Sequence, residues 1–253
     1  MLDKVAAQLF TLREYTQTPK DFSETIKRVK DMGFNTVQLS YIGPMEAEYI
    51  KEVLDENEVK VCVTHVAQGQ LPDQVDEVIR NHQIWDCKNV GLGGMKIGNG
   101  SKKDIEAFCH TYSQVADQLA KAGMTFHAHN HAFEFQKVEG KNVFDYIQEL
   151  TCADRFKLLV DVYWVQVGGA NPIQFLEKYK KNISIVHLKD LEIIGGKQTT
   201  APLGQGNMDL EGIITRCEDI GVEWYAIEQD QCLTDPFECL RTSLTYLKNL
   251  GFK

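Results

Sequence analysis

The chain of 253 residues has no Cys-x-x-Cys pair, no apolar run long enough to cross a bilayer, no cluster of basic residues and no Gly-x-Gly-x-x-Gly turn. Each absence closes off a class of protein. Its 7 cysteines are odd in number and scattered, which argues for reduced thiols over a disulfide framework or a thiolate zinc site. The opening Met1-Leu2-Asp3-Lys4-Val5 lacks the basic and apolar segments of a secretory signal, so a cytoplasmic setting without membrane association is expected. A formal net charge of -9 with dispersed basic residues repels nucleic-acid phosphates and argues against such a partner. After the first β-like run, Gln8-Leu9-Phe10-Thr11-Leu12-Arg13 contains no glycine, so a dinucleotide-binding sheet would lack its phosphate turn.

What is present is an alternation of short β-branched runs with amphipathic segments. Strands are predicted over Val5 to Leu9, Thr36 to Leu39, Lys60 to Thr64, Asn89 to Gly93, Thr125 to Ala128, Lys157 to Asp161, Ile183 to His187 and Trp224 to Glu228. Between the first two, Thr18-Pro19 supplies a cap and a first-turn proline, and Phe22, Ile26, Val29 and Met32 follow at helical spacing. Ile105, Phe108, Tyr112, Val115 and Leu119 mark a fourth helix, and Phe237, Leu240, Leu244 and Leu247 a last one. Gly33, Gly123, Gly221 and Gly251 each follow a helix and precede an apolar residue, as a left-handed C-cap requires. Eight such β-α units predict parallel pairing and closure into a (β/α)8 TIM barrel, one domain over residues 1–253.

Four runs in the second half end in side chains that bind metals. They are His127-Ala128-His129-Asn130-His131-Ala132-Phe133-Glu134, Leu158-Leu159-Val160-Asp161, Ser184-Ile185-Val186-His187 and Tyr225-Ala226-Ile227-Glu228. A parallel barrel builds its site from strand carboxyl ends, because the strand bodies fill the core, so a divalent metal at one mouth is the leading expectation. Any one carboxylate after a strand can instead cap the next helix, and Asp161 alone is open to that reading. His65, at the end of the third strand, either binds a substrate hydroxyl or only braces the structure. His131 either relays a proton or orients a ligand. Lys189 and Asp190 are either a solvated ion pair or a lysine aimed at an oxyanion. Trp164 and Phe10 are candidates for an apolar wall under a sugar face. Two glycine-rich stretches, Gly91-Leu92-Gly93-Gly94 with Lys96 and Gly195 through Gly206, are read as loops, neither with a phosphate-specific signature.

The runs Asp161-Val162-Tyr163-Trp164-Val165-Gln166-Val167-Gly168-Gly169, Val186-His187-Leu188-Lys189-Asp190, Gly204-Gln205-Gly206-Asn207-Met208-Asp209 and Ile227-Glu228-Gln229-Asp230 resemble the sugar phosphate isomerase/epimerase family of xylose isomerase-like barrels. The opening Gln8 to Arg13 and the His129-Asn130-His131-x-x-Glu134 segment extend the resemblance over almost the whole chain. The resemblance implies one divalent ion held by Glu134, Asp161, His187 and Glu228, with His129 or His127 as the alternative to Glu134. Such an oxygen-rich set suits Mn²⁺ first, with Mg²⁺, Co²⁺ or Zn²⁺ also compatible. It further implies isomerisation or epimerisation of a keto-sugar or related polyol through an enediolate, with Glu134 and Glu228 moving the proton. His65, His129, His131, Trp164 and Lys189 are read from their own positions as candidates to hold substrate. Relatives of the same scaffold imply a rival lyase, of the inosose- or dehydroshikimate-dehydratase type or cleaving oxidised glycosides. An endonuclease and a non-catalytic sugar-binding protein are the remaining readings. Association into a homo-oligomer is allowed by the sequence but not indicated by it.

Overall fold

The computed structural model describes residues 2–251. Eight parallel strands form one sheet: β1 (Val5–Gln8), β2 (Thr36–Leu39), β3 (Lys60–Thr64), β4 (Asn89–Leu92), β5 (Thr125–His129), β6 (Phe156–Asp161), β7 (Ile183–Leu188) and, after an inserted hairpin, β10 (Trp224–Ile227). Their order is β3-β2-β1-β10-β7-β6-β5-β4. The gap between β3 and β4 is bridged just beyond β3, where Val66 N–H donates to Gly91 C=O at 2.7 Å and Gly93 N–H to Val66 C=O at 3.2 Å. Gly91 is what lets the two ends approach, since a Cβ there would lie 2.2 Å from the Thr64 carbonyl oxygen. The result is a nearly closed barrel.

Helices α1 (Pro19–Met32), α2 (Ala47–Glu56), α3 (Val75–Ile84), α4 (Lys102–Lys121), α5 (Val143–Leu150), α6 (Val162–Val167), α7 (Pro172–Lys178), α8 (Leu210–Asp219) and α9 (Pro236–Asn249) lie between the strands. Local signals account for their limits. Thr18 accepts the Asp21 N–H at the start of α1, and Ser101 and Asp104 form a reciprocal capping box on α4, each worth about 1 kcal/mol. The predicted stripes on α1, α4 and α9 are all buried, and Gly33, Gly123, Gly221 and Gly251 all take the positive φ of a C-cap. Among the described residues, no helix is long and apolar enough to cross a membrane.

Two strand ends differ from expectation in ways that matter for the mouth. Leu9 leaves β1 because the Gln8 side chain accepts the Phe10 N–H at 2.6 Å and starts a 3-10 turn. β5 extends to His129, which places that imidazole on the strand itself. The expected loop from Gly195 to Gly206 is corrected more substantially. Its first part is the turn and second strand of an antiparallel hairpin, β8 (Asp190–Ile194) and β9 (Lys197–Ala201), turned by Gly195-Gly196 with φ of 58° and 78°. Two consecutive positive-φ residues match the right-handed strand twist, and only glycine adopts them freely.

The strands are buried on both faces. Outward residues meet the helices, while Ala6, Cys62, Val63, Leu159, Ile185 and Ala226 form a separate, smaller apolar cluster. Side chains alternate with a period of two, so Asp161, His187 and Glu228 follow Leu159, Ile185 and Ala226 on the same face, one step nearer the carboxyl ends.

α3 is tied to β3 by a buried histidine. His82 Nδ1 donates to Val78 C=O at 2.7 Å, and Thr64 Oγ1 donates to Nε2 at 2.8 Å. Burial lowers its pKa from 6.5 to about 4. Because the folded value lies below the unfolded one, this group's stabilisation is complete above pH 6.5 and is lost as pH falls towards 4, about 3 kcal/mol by pH 4. Urea titrations from pH 7 to pH 4 should therefore show wild type losing about that much more stability than His82→Gln; parallel losses would place the proton uptake elsewhere.

Candidate active site

Asp161 ends β6, His187 lies on β7 and Glu228 follows β10, and one donor atom from each falls within 4.8 Å of the others. All three side chains are buried. His187 Nδ1 is 2.7 Å from Glu228 Oε2 and 3.8 Å from Asp161 Oδ2. The other ring nitrogen settles the tautomer: His187 Nε2 donates to Gln38 Oε1 at 2.7 Å, so Nδ1 presents its lone pair whenever the ring is neutral. Among the described residues, Nδ1, Asp161 Oδ2 and Glu228 Oε2 make no hydrogen bond of acceptable direction despite these short distances. Burial opposes a charge on His187, but Glu228 and Asp161 outweigh it and hold its proton more firmly than usual; a divalent cation fits the same point by taking the place of that charge.

Asp161 performs two tasks with its two oxygens. Oδ1 accepts the Trp164 N–H at 3.2 Å and caps α6, while Oδ2 faces the cluster. The capping oxygen therefore leaves the other available to a ligand. Asn130 holds this strand end in place, accepting the Asp161 N–H at 2.9 Å.

Lys189 is buried in the same place. Its Nζ lies 2.8 Å from Asp161 Oδ2, 3.0 Å from Glu228 Oε2 and 2.7 Å from Asp230 Oδ2, and only the last contact is a directed hydrogen bond. Burial opposes its charge, but the three carboxylates outweigh burial and hold the proton more firmly than in an ordinary lysine. Burial likewise opposes ionisation of Glu228, and Lys189 with His187 overcomes it, keeping that carboxyl well below the usual range. Asp190, the next residue, faces away. Its carboxylate accepts the N–H groups of Leu191, Gly204, Gly206 and Met208 at 2.8–3.1 Å. The solvated Lys189–Asp190 pair is thus replaced by two buried groups with separate partners. The Gly204–Met208 amides that a phosphate could have used are already consumed.

On the opposite side stands a row of imidazoles. The ring centroids of His65 and His187 are 5.2 Å apart, His129 and His187 4.7 Å, His65 and His129 4.8 Å, and His129 and His131 4.9 Å. Burial, then the charge on His187, holds His65 and His129 neutral, and burial also lowers His131. Ser40 Oγ pairs with His65 Nδ1 at 3.2 Å, leaving Nε2 buried without a partner. His65 and His131 line a cavity of about 750 Å³ that opens over the β2, β3 and β4 ends, together with Phe10 and Lys96. Trp164 does not line that cavity; its ring lies 5.6 Å from that of His131 and 6.0 Å from Lys189 Nζ.

Glu134 is the expected ligand that the structure does not bring in. It lies on a 3-10 turn (Phe133–Phe135), fully buried, where Oε2 accepts the His131 N–H at 2.9 Å and Oε1 has no partner. Burial, partly offset by backbone N–H groups, raises its pKa to about 8. Among the described residues it joins neither group of converging metal donors; His129 does, in a second group with His65 and His187. His127 points to Asn89 Oδ1, 3.0 Å away, and belongs to neither. Gln38, Asn130 and Asp230 are site residues that the sequence reading passed over. Asn130 and Asp230 stand inside motifs already quoted, whereas nothing adjacent in sequence marks Gln38.

Residues 26–250 match the family described as Xylose isomerase-like TIM barrel. In sequence the chain is 23% identical over 277 aligned residues to an inosose dehydratase of Klebsiella pneumoniae (strain 342), covering 90% of this chain and 89% of the relative. In structure it is similar to a sugar phosphate isomerase/epimerase from Parabacteroides distasonis ATCC 8503, with a TM-score of 0.83, 21% identity and coverage of 98% of this chain and 99% of that one. A probable 3-DHS dehydratase from Bacillus anthracis gives a TM-score of 0.76 at 12% identity, covering 97% and 99%. At these identities the structural likeness is one of fold.

Proposed function

The chain belongs to the xylose isomerase-like TIM barrel family, and from that premise we propose that it is a sugar- or polyol-processing lyase of the dehydratase type. Its reaction removes a proton beside the carbonyl of a cyclic keto-polyol and expels a neighbouring hydroxyl as water. The name of the sequence relative supports this chemistry. The single observation that carries it over epimerisation is the separation of Glu134 from Glu228: a relay between two glutamates has only one of them at the converging donors.

The proposed ion ligands are Asp161, His187 and Glu228, with His129 beside them in place of Glu134. A divalent ion there, Mn²⁺ by first preference for mixed oxygen and imidazole donors, would polarise a carbonyl and acidify the adjacent C–H. His65 is the base, since Ser40 holds one nitrogen and leaves the other free at the cavity. It accepts the proton as the C–H bond breaks, and the same imidazole returns it to the departing hydroxyl, so the net loss is one water. Lys189, kept charged, stabilises the oxyanion that forms. Asn130, Gln38 and Asp230 position these groups.

A second reading, isomerisation or epimerisation, is favoured by His131, which borders the same cavity and can return a proton from another direction. Incubating an inosose with the Mn²⁺-supplied protein in deuterium oxide separates the two. An unsaturated ketone is expected, with His65→Ala lowering its rate by about 10²–10⁴. Recovered ketose carrying deuterium, without unsaturated product, would support the second reading. Neither outcome, with inososes and a panel of keto-hexoses, would remove both.

A further inference from the structure

The cavity beside the histidines has a volume of about 750 Å³, within the roughly 300–1,000 Å³ of sites that enclose small ligands. Two aromatic pairs stand in its lining: Tyr41 meets Phe10 edge to face, with centroids 5.7 Å apart, and Phe133 lies flat against His131 at 5.6 Å and 12°. Tyr41 and Phe133 are 68% and 55% exposed, so their faces are offered to solvent at the rim.

Tyr41 is held there against its backbone preference. Its φ is 54°, in the left-handed region that non-glycine residues rarely occupy. Gln17 Nε2 donates to Tyr41 C=O at 2.9 Å, and Gly43 admits the crossing chain, since a Cβ on it would sit 2.0 Å from the Gln17 carbonyl oxygen. Held strain of this kind gathers where a side chain must be presented in one direction. Charge narrows the occupant further. Among the described residues none that lines the cavity is acidic, although the chain carries 36 Asp and Glu, and Lys96 is the one lysine or arginine there.

We propose that this rim is a second-ring subsite, and that the substrate is a glycoside carrying a flat, apolar-faced ring that packs between Tyr41 and Phe133 while its keto ring lies against His65. The inference rests on the preceding reading for the position of the keto ring. Stacking recognises the apolar face of an aryl aglycone or of a second pyranose by the same chemistry, and the test tells them apart.

Calorimetric titration of the Mn²⁺-supplied protein with methyl β-D-glucopyranoside, phenyl β-D-glucopyranoside and cellobiose measures the subsite without turnover. The expected result is about tenfold tighter binding of one or both two-ring ligands than of the methyl glycoside. Phenyl preference identifies an aryl aglycone, cellobiose preference a sugar. Tyr41→Ala and Phe133→Ala should each erase most of that advantage and leave the methyl glycoside unchanged, while Tyr41→Phe should retain it. Equal affinity for all three ligands, no binding of the two-ring ligands, or an advantage unmoved by both alanine variants would overturn the subsite. Ring preference without turnover of any ketose would instead overturn the reaction and leave the subsite standing.

Discussion

Glu228→Gln is expected to lower kcat by about 10³-fold or more, with circular dichroism and solubility near wild type. The substitution preserves volume but removes the charge that Lys189 and His187 hold ionised in a buried place. Asp161 and Asp230 still neutralise Lys189, which is why the barrel should survive. Equilibrium dialysis with Mn²⁺ should show weakened uptake in the same variant. Unchanged turnover of an established substrate would remove Glu228 from the reaction, and unchanged uptake with lost turnover would restrict it to proton or oxyanion chemistry.

Lys189→Met should destabilise the ion-free protein by roughly 3–5 kcal/mol, since removing one partner of a buried ion network leaves carboxylates uncompensated. For a chain of this size that corresponds to a fall of roughly 6–20 °C in Tm. Saturating Mn²⁺ should recover much of the loss, because a divalent cation replaces the missing charge beside Asp161 and Glu228 and stabilises only the state that binds it. Thermal melts of wild type and variant, each with chelator and with Mn²⁺, test this in four curves. An equal deficit with and without Mn²⁺ would mean that the ion does not approach the carboxylates that Lys189 contacts.

The legible parts of the site were those whose position follows from strand periodicity. Asp161, His187 and Glu228 each come at the end of a short apolar run, and a period of two puts all three on the face that reaches the barrel mouth. Glu134 stands apart from the converging donors for a related reason. It follows β5 by five residues, on a 3-10 turn whose direction no periodicity predicts, and that turn carries its carboxylate towards the His131 amide and away from the converging donors. Lys189 and Asp190 show the same limit, since Lys189 is the one residue between β7 and β8, and the turn of the chain there sends the two side chains to separate buried partners that no periodicity predicts. The β8–β9 hairpin did have a signal: Ile194-Gly195-Gly196-Lys197 is a two-residue glycine turn between extended segments.

By itself the sequence determined the βα alternation, the helix limits and the strand ends that carry chemistry, because caps, glycine stops and hydrophobic periodicity act over a few residues. Tertiary structure alone decided which of those ends converge. Gln38 meets His187 across 149 positions, and Asp230 meets Lys189 across 41. Barrel closure sets those distances, and burial in the same space sets the proton affinities of Lys189, Glu228 and Glu134. Both depend on what surrounds a group in space, which a linear order of residues does not contain.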